Sequence, residues 1–137
     1  MLKVKPEPQA APEVLVIDDD AILRELVTDW LQDAGYRVRS AKSCRAWLEQ
    51  FLPVKSPALI VTDMFMPGVC GAEAVSRLKK QHPNAALIAV SGHFGSGQGL
   101  SAEGAIAAGA DRAFAKPVKR SEFLQAVAEL LGTPAPH

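Results

Sequence analysis

The sequence has no excess charge of either sign: its 137 residues carry 15 Lys and Arg against 15 Asp and Glu. A chain so balanced lacks the electrostatic footprint that draws proteins to nucleic acid or to an anionic membrane. Cysteine is scarce as well. The two present, Cys44 and Cys70, have neither metal-ligand spacing nor a disulfide framework. They read as reduced thiols in a cytoplasmic protein. No apolar run approaches the length of a membrane span. The opening, MLKVKPEPQAAPE, lacks the apolar stretch of a secretory signal.

What is present suffices for one domain. The chain is 48% hydrophobic and 22% charged, and its length is too short for two ordinary domains. Residues 1–12, rich in Pro, Ala and Lys, show no periodicity and read as a flexible tail, as does TPAPH at 133–137. Between them, over 13–132, apolar runs of strand length alternate with helical patterns. The runs are VLVI (14–17), YRVRSA (36–41), ALIVT (58–62), ALIAV (86–90) and RAFA (112–115). The first helical segment, 21–34, places Ile22, Leu23, Leu26, Val27, Trp30 and Leu31 on one face, with Gly35 at its C-terminal cap. A second covers 43–52, with Ser43 as N-cap. A third covers 71–81 and ends before Pro83. The fourth, 100–108, is weak and follows a glycine-rich stretch. The fifth, 120–131, buries Phe123, Leu124, Val127 and Leu131 and stops at Gly132. Trp30 and Trp47 fall on apolar faces and are expected in the core. His82 and His137 are expected at the surface, and His93 either borders the strand ends or is solvated in its loop.

Five strands alternating with helices imply an α/β fold, a parallel sheet covered on both faces. Open sheets of this kind bind ligands outside the carboxyl ends of their strands. Here those ends are polar. The first strand ends in Asp18, Asp19 and Asp20, the third in Asp63, the fourth in Ser91 and the fifth in Lys116, which precedes Pro117. Asp20 fits the N-cap of the following helix, where a carboxylate favours the dipole. The remaining carboxylates would raise one another's pKa values. A hard divalent cation such as Mg2+ relieves that repulsion and often shares its site with a phosphate. A carboxylate can itself become an aspartyl phosphate, and with the charge neutralised, phosphoryl transfer needs mainly positioning.

VLVIDDD, a helix ending in AGY, LIVTDMFMPGVCG, ALIAVSG and GADRAFAKPV occur in that order across 13–132. Together they resemble the response-regulator receiver domain of two-component signalling, similar in length and order to the CheY-like, single-domain type. The resemblance implies a flavodoxin-like three-layer sandwich, a five-stranded parallel sheet in the order 2-1-3-4-5 with helices on both faces. It implies Asp63 as phosphoacceptor, Ser91 as switch hydroxyl and Lys116 as the partner of the phosphoryl group. Asp18, Asp19, Asp63 and the backbone carbonyl of Phe65 become the Mg2+ ligands. Pro117 would follow a cis peptide bond, Met66, Pro67 and Gly68 would form the turn after the acceptor, and Gly71 would open the next helix. The implied phosphodonor is a histidine kinase or a histidine phosphotransfer protein, docking near the first helix and the loop after Pro117. With no output module read after residue 132, the signal would pass to a downstream protein target. The implied molecule is a switch that promotes its own phosphorylation and dephosphorylation, not an enzyme.

The chain departs from the family pattern at several positions. Ala113 stands where an aromatic residue is usual, with Phe114 one place later. Cys70 replaces a usual acidic residue, and Gly92 replaces the usual Ala after the switch hydroxyl. Glycines at 92, 95, 97 and 99 predict a mobile segment whose ordering, with Phe94 as its large apolar group, carries the signal. Three other readings compete. A degenerate receiver acting only as a protein-binding module has against it that every chemical residue is present. A haloacid-dehalogenase-type phosphatase needs a second Asp where Phe65 stands. A dinucleotide-binding module, suggested by GSGQG at 95–99, would need that loop after the first strand, where three aspartates would repel a pyrophosphate.

Overall fold

The apolar runs and the helical patterns between them fold in the predicted order. The computed structural model describes residues 11–43, 46–47, 56–65, 71–92 and 102–132. The elements are β1 (Glu13–Ile17), α1 (Ala21–Asp33), β2 (Arg37–Ala41), β3 (Leu59–Asp63), α2 (Gly71–Gln81), β4 (Ala86–Ser91), α3 (Ala102–Ala108), β5 (Arg112–Ala115) and α4 (Arg120–Leu131). Of the segment expected to be helical at 43–52, the described part is Ser43, Ala46 and Trp47. There Ser43 Oγ accepts from the Ala46 amide at 3.0 Å, as an N-cap does.

The five strands form one parallel sheet in the order β2-β1-β3-β4-β5. The inner strands β1, β3 and β4 are buried almost throughout, whereas β2 and β5 lie at the edges and are partly exposed. Alternation then sorts their side chains to two cores. Val14, Val16, Leu59, Val61, Ile88 and Val90 face α1 and α4. Leu15, Ile17, Ile60, Leu87 and Ala89 face α2 and α3. Phe123 of α4, fully buried, meets Trp30 at 6.2 Å and Phe114 at 6.3 Å between ring centroids. Burying a side chain of this size contributes about 1.5–3 kcal/mol. Phe114 pairs with Val90 and so lies on this face, while Ala113 pairs with Ala89 and lies on the other. The ring at 114 therefore does not occupy the face that an aromatic at 113 would.

One expectation is corrected, that for His82. The apolar face of α1 is only partly buried: Leu31 is, but Ile22 is 79% and Leu26 42% exposed. The first turns of α1 stand at the rim of the sheet, where Leu23 and Leu26, together with Val27 and Trp30 that pack against the second core, line a cavity of about 410 Å3. His82 is buried, not at the surface. The turn after α2 carries it under Trp47, whose indole N–H donates to its Nε2 at 3.0 Å, and Ser56 Oγ lies 2.7 Å from its Nδ1. Both ring nitrogens have partners, which offsets the cost of burying a polar ring. Trp47 is 4% exposed and Trp30 is packed against the second core, as expected. Among the described residues, no helix is long and apolar enough to cross a membrane.

Candidate functional site

β1 ends beneath the first turn of α1, and the link between them is tied at every polar atom of Asp18. Its amide donates to the Ala41 carbonyl at 3.2 Å. Its Oδ1 accepts from the Asp20 amide at 2.9 Å. Its carbonyl accepts from Arg24 Nη1 at 2.6 Å. Its Oδ2 accepts from Lys116 Nζ at 3.3 Å. Asp20 caps α1, its Oδ1 accepting from the amides of Ile22 and Leu23 at 3.0 and 3.2 Å. That matches the role expected for it.

Asp63 is the last residue of β3 and pairs with Val90 of β4. Its Oδ1 accepts from the Phe65 amide at 3.1 Å, and its Oδ2 accepts from Lys116 Nζ at 3.3 Å. The following loop is anchored by two backbone bonds, Met64 to the Val90 carbonyl at 2.8 Å and Gly71 to the Met64 carbonyl at 2.7 Å. Gly71 has φ 60°, a backbone that suits glycine. Lys116 leaves β5 with its amide bonded to the Ser91 carbonyl at 3.0 Å, and the Lys116–Pro117 peptide is cis, as expected.

Asp18 and Asp63 are buried, and the ammonium of Lys116 bridges them. Burial pushes the Asp63 carboxyl above its ordinary value. The Phe65 amide and the Lys116 charge pull it back only in part, and Asp18 adds to the rise. For Lys116, burial works against the charge, but the carboxylates of Asp63 and Asp18 outweigh it and raise the pKa. One carboxylate oxygen from each of Asp18, Asp19 and Asp63 lies within 4.8 Å of the others. Three carboxylates against one ammonium leave an excess of negative charge, and the donors are all oxygen. This donor set fits a hard divalent cation. Beside it opens a cavity of about 420 Å3 lined by Asp19, Asp20, Asp63, Phe65, Gly92 and Lys116.

The fold thus gathers Asp18, Asp19, Asp63, Phe65 and Lys116. Ser91 shares the edge through strand register: it follows the partner of Asp63, pairs with Ala115, and is fully buried. Gly92 replaces alanine without need of space, since a Cβ there would meet Lys116 at 3.8 and 3.9 Å, ordinary contact. Met66, Pro67, Gly68, Cys70, His93, Phe94 and most of the glycine-rich segment lie outside the described residues, as do Cys44 and His137. Arg24 was not anticipated. A signal existed: a cation one turn into a helix opposes the dipole and calls for a local partner.

Comparison with known proteins points the same way. Residues 14–128 match the family model of the response regulator receiver domain. The chain is 33% identical over 115 residues to the chemotaxis protein CheY of Thermotoga maritima, covering 83% of this chain and 92% of that protein. It is 34% identical over 128 residues to the transcriptional regulatory protein FixJ of Azorhizobium caulinodans, covering 93% of this chain and 58% of that one. Among solved structures, the receiver domain of NtrX from Brucella abortus superposes with a TM-score of 0.76 at 29% identity, over 88% of this chain and 99% of that one.

Proposed function

The chain belongs to the response-regulator receiver family of two-component signalling, and from that premise we propose that it is a phosphorylation switch whose acceptor is Asp63. The observation that carries the proposal is the bridging of Asp18 and Asp63 by Lys116 at 3.3 Å, beside Asp19. Receiver domains generally bind Mg2+ at an acidic pocket. Here Asp18, Asp19, Asp63 and the Phe65 carbonyl would hold it, and when bound it screens the charge on the phosphoryl oxygens.

The chain's own residues supply the rest. An Asp63 oxygen attacks phosphorus, the new O–P bond forming as the donor's bond to phosphorus breaks. The two bonds to Asp63, from the Phe65 amide and Lys116, hold the carboxylate in one orientation. Lys116 needs little movement to meet an oxygen of the transferred group, and the Ser91 hydroxyl is the second protein contact for it. The donor is a histidine kinase or a histidine phosphotransfer protein. The exposed Ile22 and Leu26 of α1, next to the cavity that reaches Asp18, Asp63, Lys116 and Pro117, support docking of the donor at that face. The signal leaves through a protein-binding surface that phosphorylation changes.

Incubation with acetyl phosphate and Mg2+ tests the acceptor. The unaltered chain is expected to gain acid-stable, base-labile acyl phosphate, and Asp63→Ala to lose all of it. Undiminished labelling of Asp63→Ala would place the acceptor elsewhere.

A further inference from the structure

Arg24 sits one turn into α1, where a cation works against the helix dipole. Among the described residues, its guanidinium is not spent on a carboxylate. Nη1 donates to the main-chain carbonyl of Asp18 at 2.6 Å, while its own amide donates to the Asp20 carbonyl at 2.9 Å. The Asp18 carbonyl belongs to the peptide that joins Asp18 to Asp19. Of the four polar atoms of Asp18, two are held within the sheet and the turn, by the Ala41 carbonyl and the Asp20 amide, and one by Lys116. Among the described residues, the fourth, the carbonyl oxygen, is held by Arg24. A cation entering the cluster competes with Lys116 for Asp18 Oδ2. It does not compete with Arg24, which touches no ligand oxygen of the carboxylates.

We infer that Arg24 is a positioning residue for the acidic pair: by fixing the Asp18–Asp19 peptide it aims both carboxylates before any cation arrives. The inference rests on reading Asp18, Asp19 and Asp63 as the Mg2+ site. It opposes what charge alone predicts. A guanidinium bonded to the Asp18 carbonyl adds positive charge beside the acidic pair and repels an incoming cation, so removing it should tighten binding if charge were its only effect. If it positions, removing it releases the peptide, and ordering must then accompany binding, which weakens it.

The test is a Mg2+ titration of the full chain, unphosphorylated, followed by amide NMR shifts of Asp18 to Asp20. Arg24→Met, which keeps the length of the stem and loses both charge and donors, is expected to weaken Mg2+ binding by threefold to tenfold. Arg24→Lys, which keeps the charge and one donor, is expected to fall between that and the unaltered chain. Thermal melts without metal identify any variant that does not fold. If Arg24→Met does not fold, the Lys variant decides, and affinity equal to or tighter than the unaltered chain overturns the inference. The same result in a folded Arg24→Met also overturns it, while leaving the functional reading intact. Failure of the unaltered chain to bind Mg2+ would overturn both.

Discussion

Asp63 has a donor on each carboxylate oxygen and is nonetheless held above its ordinary pKa, because burial costs the charged form more than those donors return. A carboxyl with a raised folded-state pKa binds its proton more tightly folded than unfolded. Its contribution to stability is present below the ordinary value of 3.8 and is lost as pH rises through the folded-state value. At neutral pH the ionised group is therefore a liability to the metal-free fold. Asp63→Asn is expected to raise the urea midpoint at pH 7 in the presence of EDTA. A lower urea midpoint in that variant would contradict the account. His82 behaves in the opposite sense for the same reason. Burial, with the Arg39 charge adding to it, lowers the imidazole below its ordinary 6.5. Arg39 also stacks over Trp47 at 5.2 Å and pairs with Glu13 at 2.6 Å, so it is fixed near the ring. The unfolded chain takes up the proton first as pH falls. Stability from the neutral ring is full above 6.5 and declines toward the folded-state value, by up to about 1.4 kcal/mol per pH unit. Urea unfolding at pH 7.5 and 5.5 measures the slope. His82→Gln is expected to flatten it, and an unchanged slope would show that His82 does not set it.

At the scale of elements, much was legible because the relevant signals are local. Runs such as LIVT and ALIAV stay buried on both sides of a parallel sheet, and their bounds in the sequence match β3 and β4 to within a residue. Strand ends are legible for the same reason: a parallel sheet puts Asp18, Asp63, Ser91 and Lys116 on one edge whatever the helices do. The cap residues Asp20 and Gly132 are decided within their own turns. What was not legible depends on contacts far apart in sequence. His82 meets Trp47 and Ser56 across separations of 35 and 26 residues, and nothing near His82 distinguishes it from a solvated histidine. The stripe on α1 has the right period, but periodicity says which face is apolar and not whether a neighbour closes over it. Ile22, 79% exposed, shows that among the described residues the first turn of α1 is left open. Arg24 falls between these cases, since its partner is near in sequence but is a carbonyl, which no side-chain motif records.

For the whole molecule, Lys116 acts as a resident counter-ion. It links Asp18, just after β1, to Asp63 of β3 from the far side of the sheet, reaching back 98 residues to the first and 53 to the second. The acidic edge is therefore partly neutralised by the chain's own ammonium, whether or not an external ion is bound. On the proposed function, metal then enters folding only through mass action. At a free concentration equal to its dissociation constant, Mg2+ adds RT ln 2, about 0.4 kcal/mol. A melting temperature that rises by no more than about 3 °C under that condition is the expected result. A chain that melts only after chelation, or gains far more than this from Mg2+, would show that the ammonium is no substitute. In the language of linkage, the lysine separates two quantities that an all-carboxylate site would fuse. Occupancy of the site can follow the supply of ions and phosphodonor while the population of folded chain stays nearly constant.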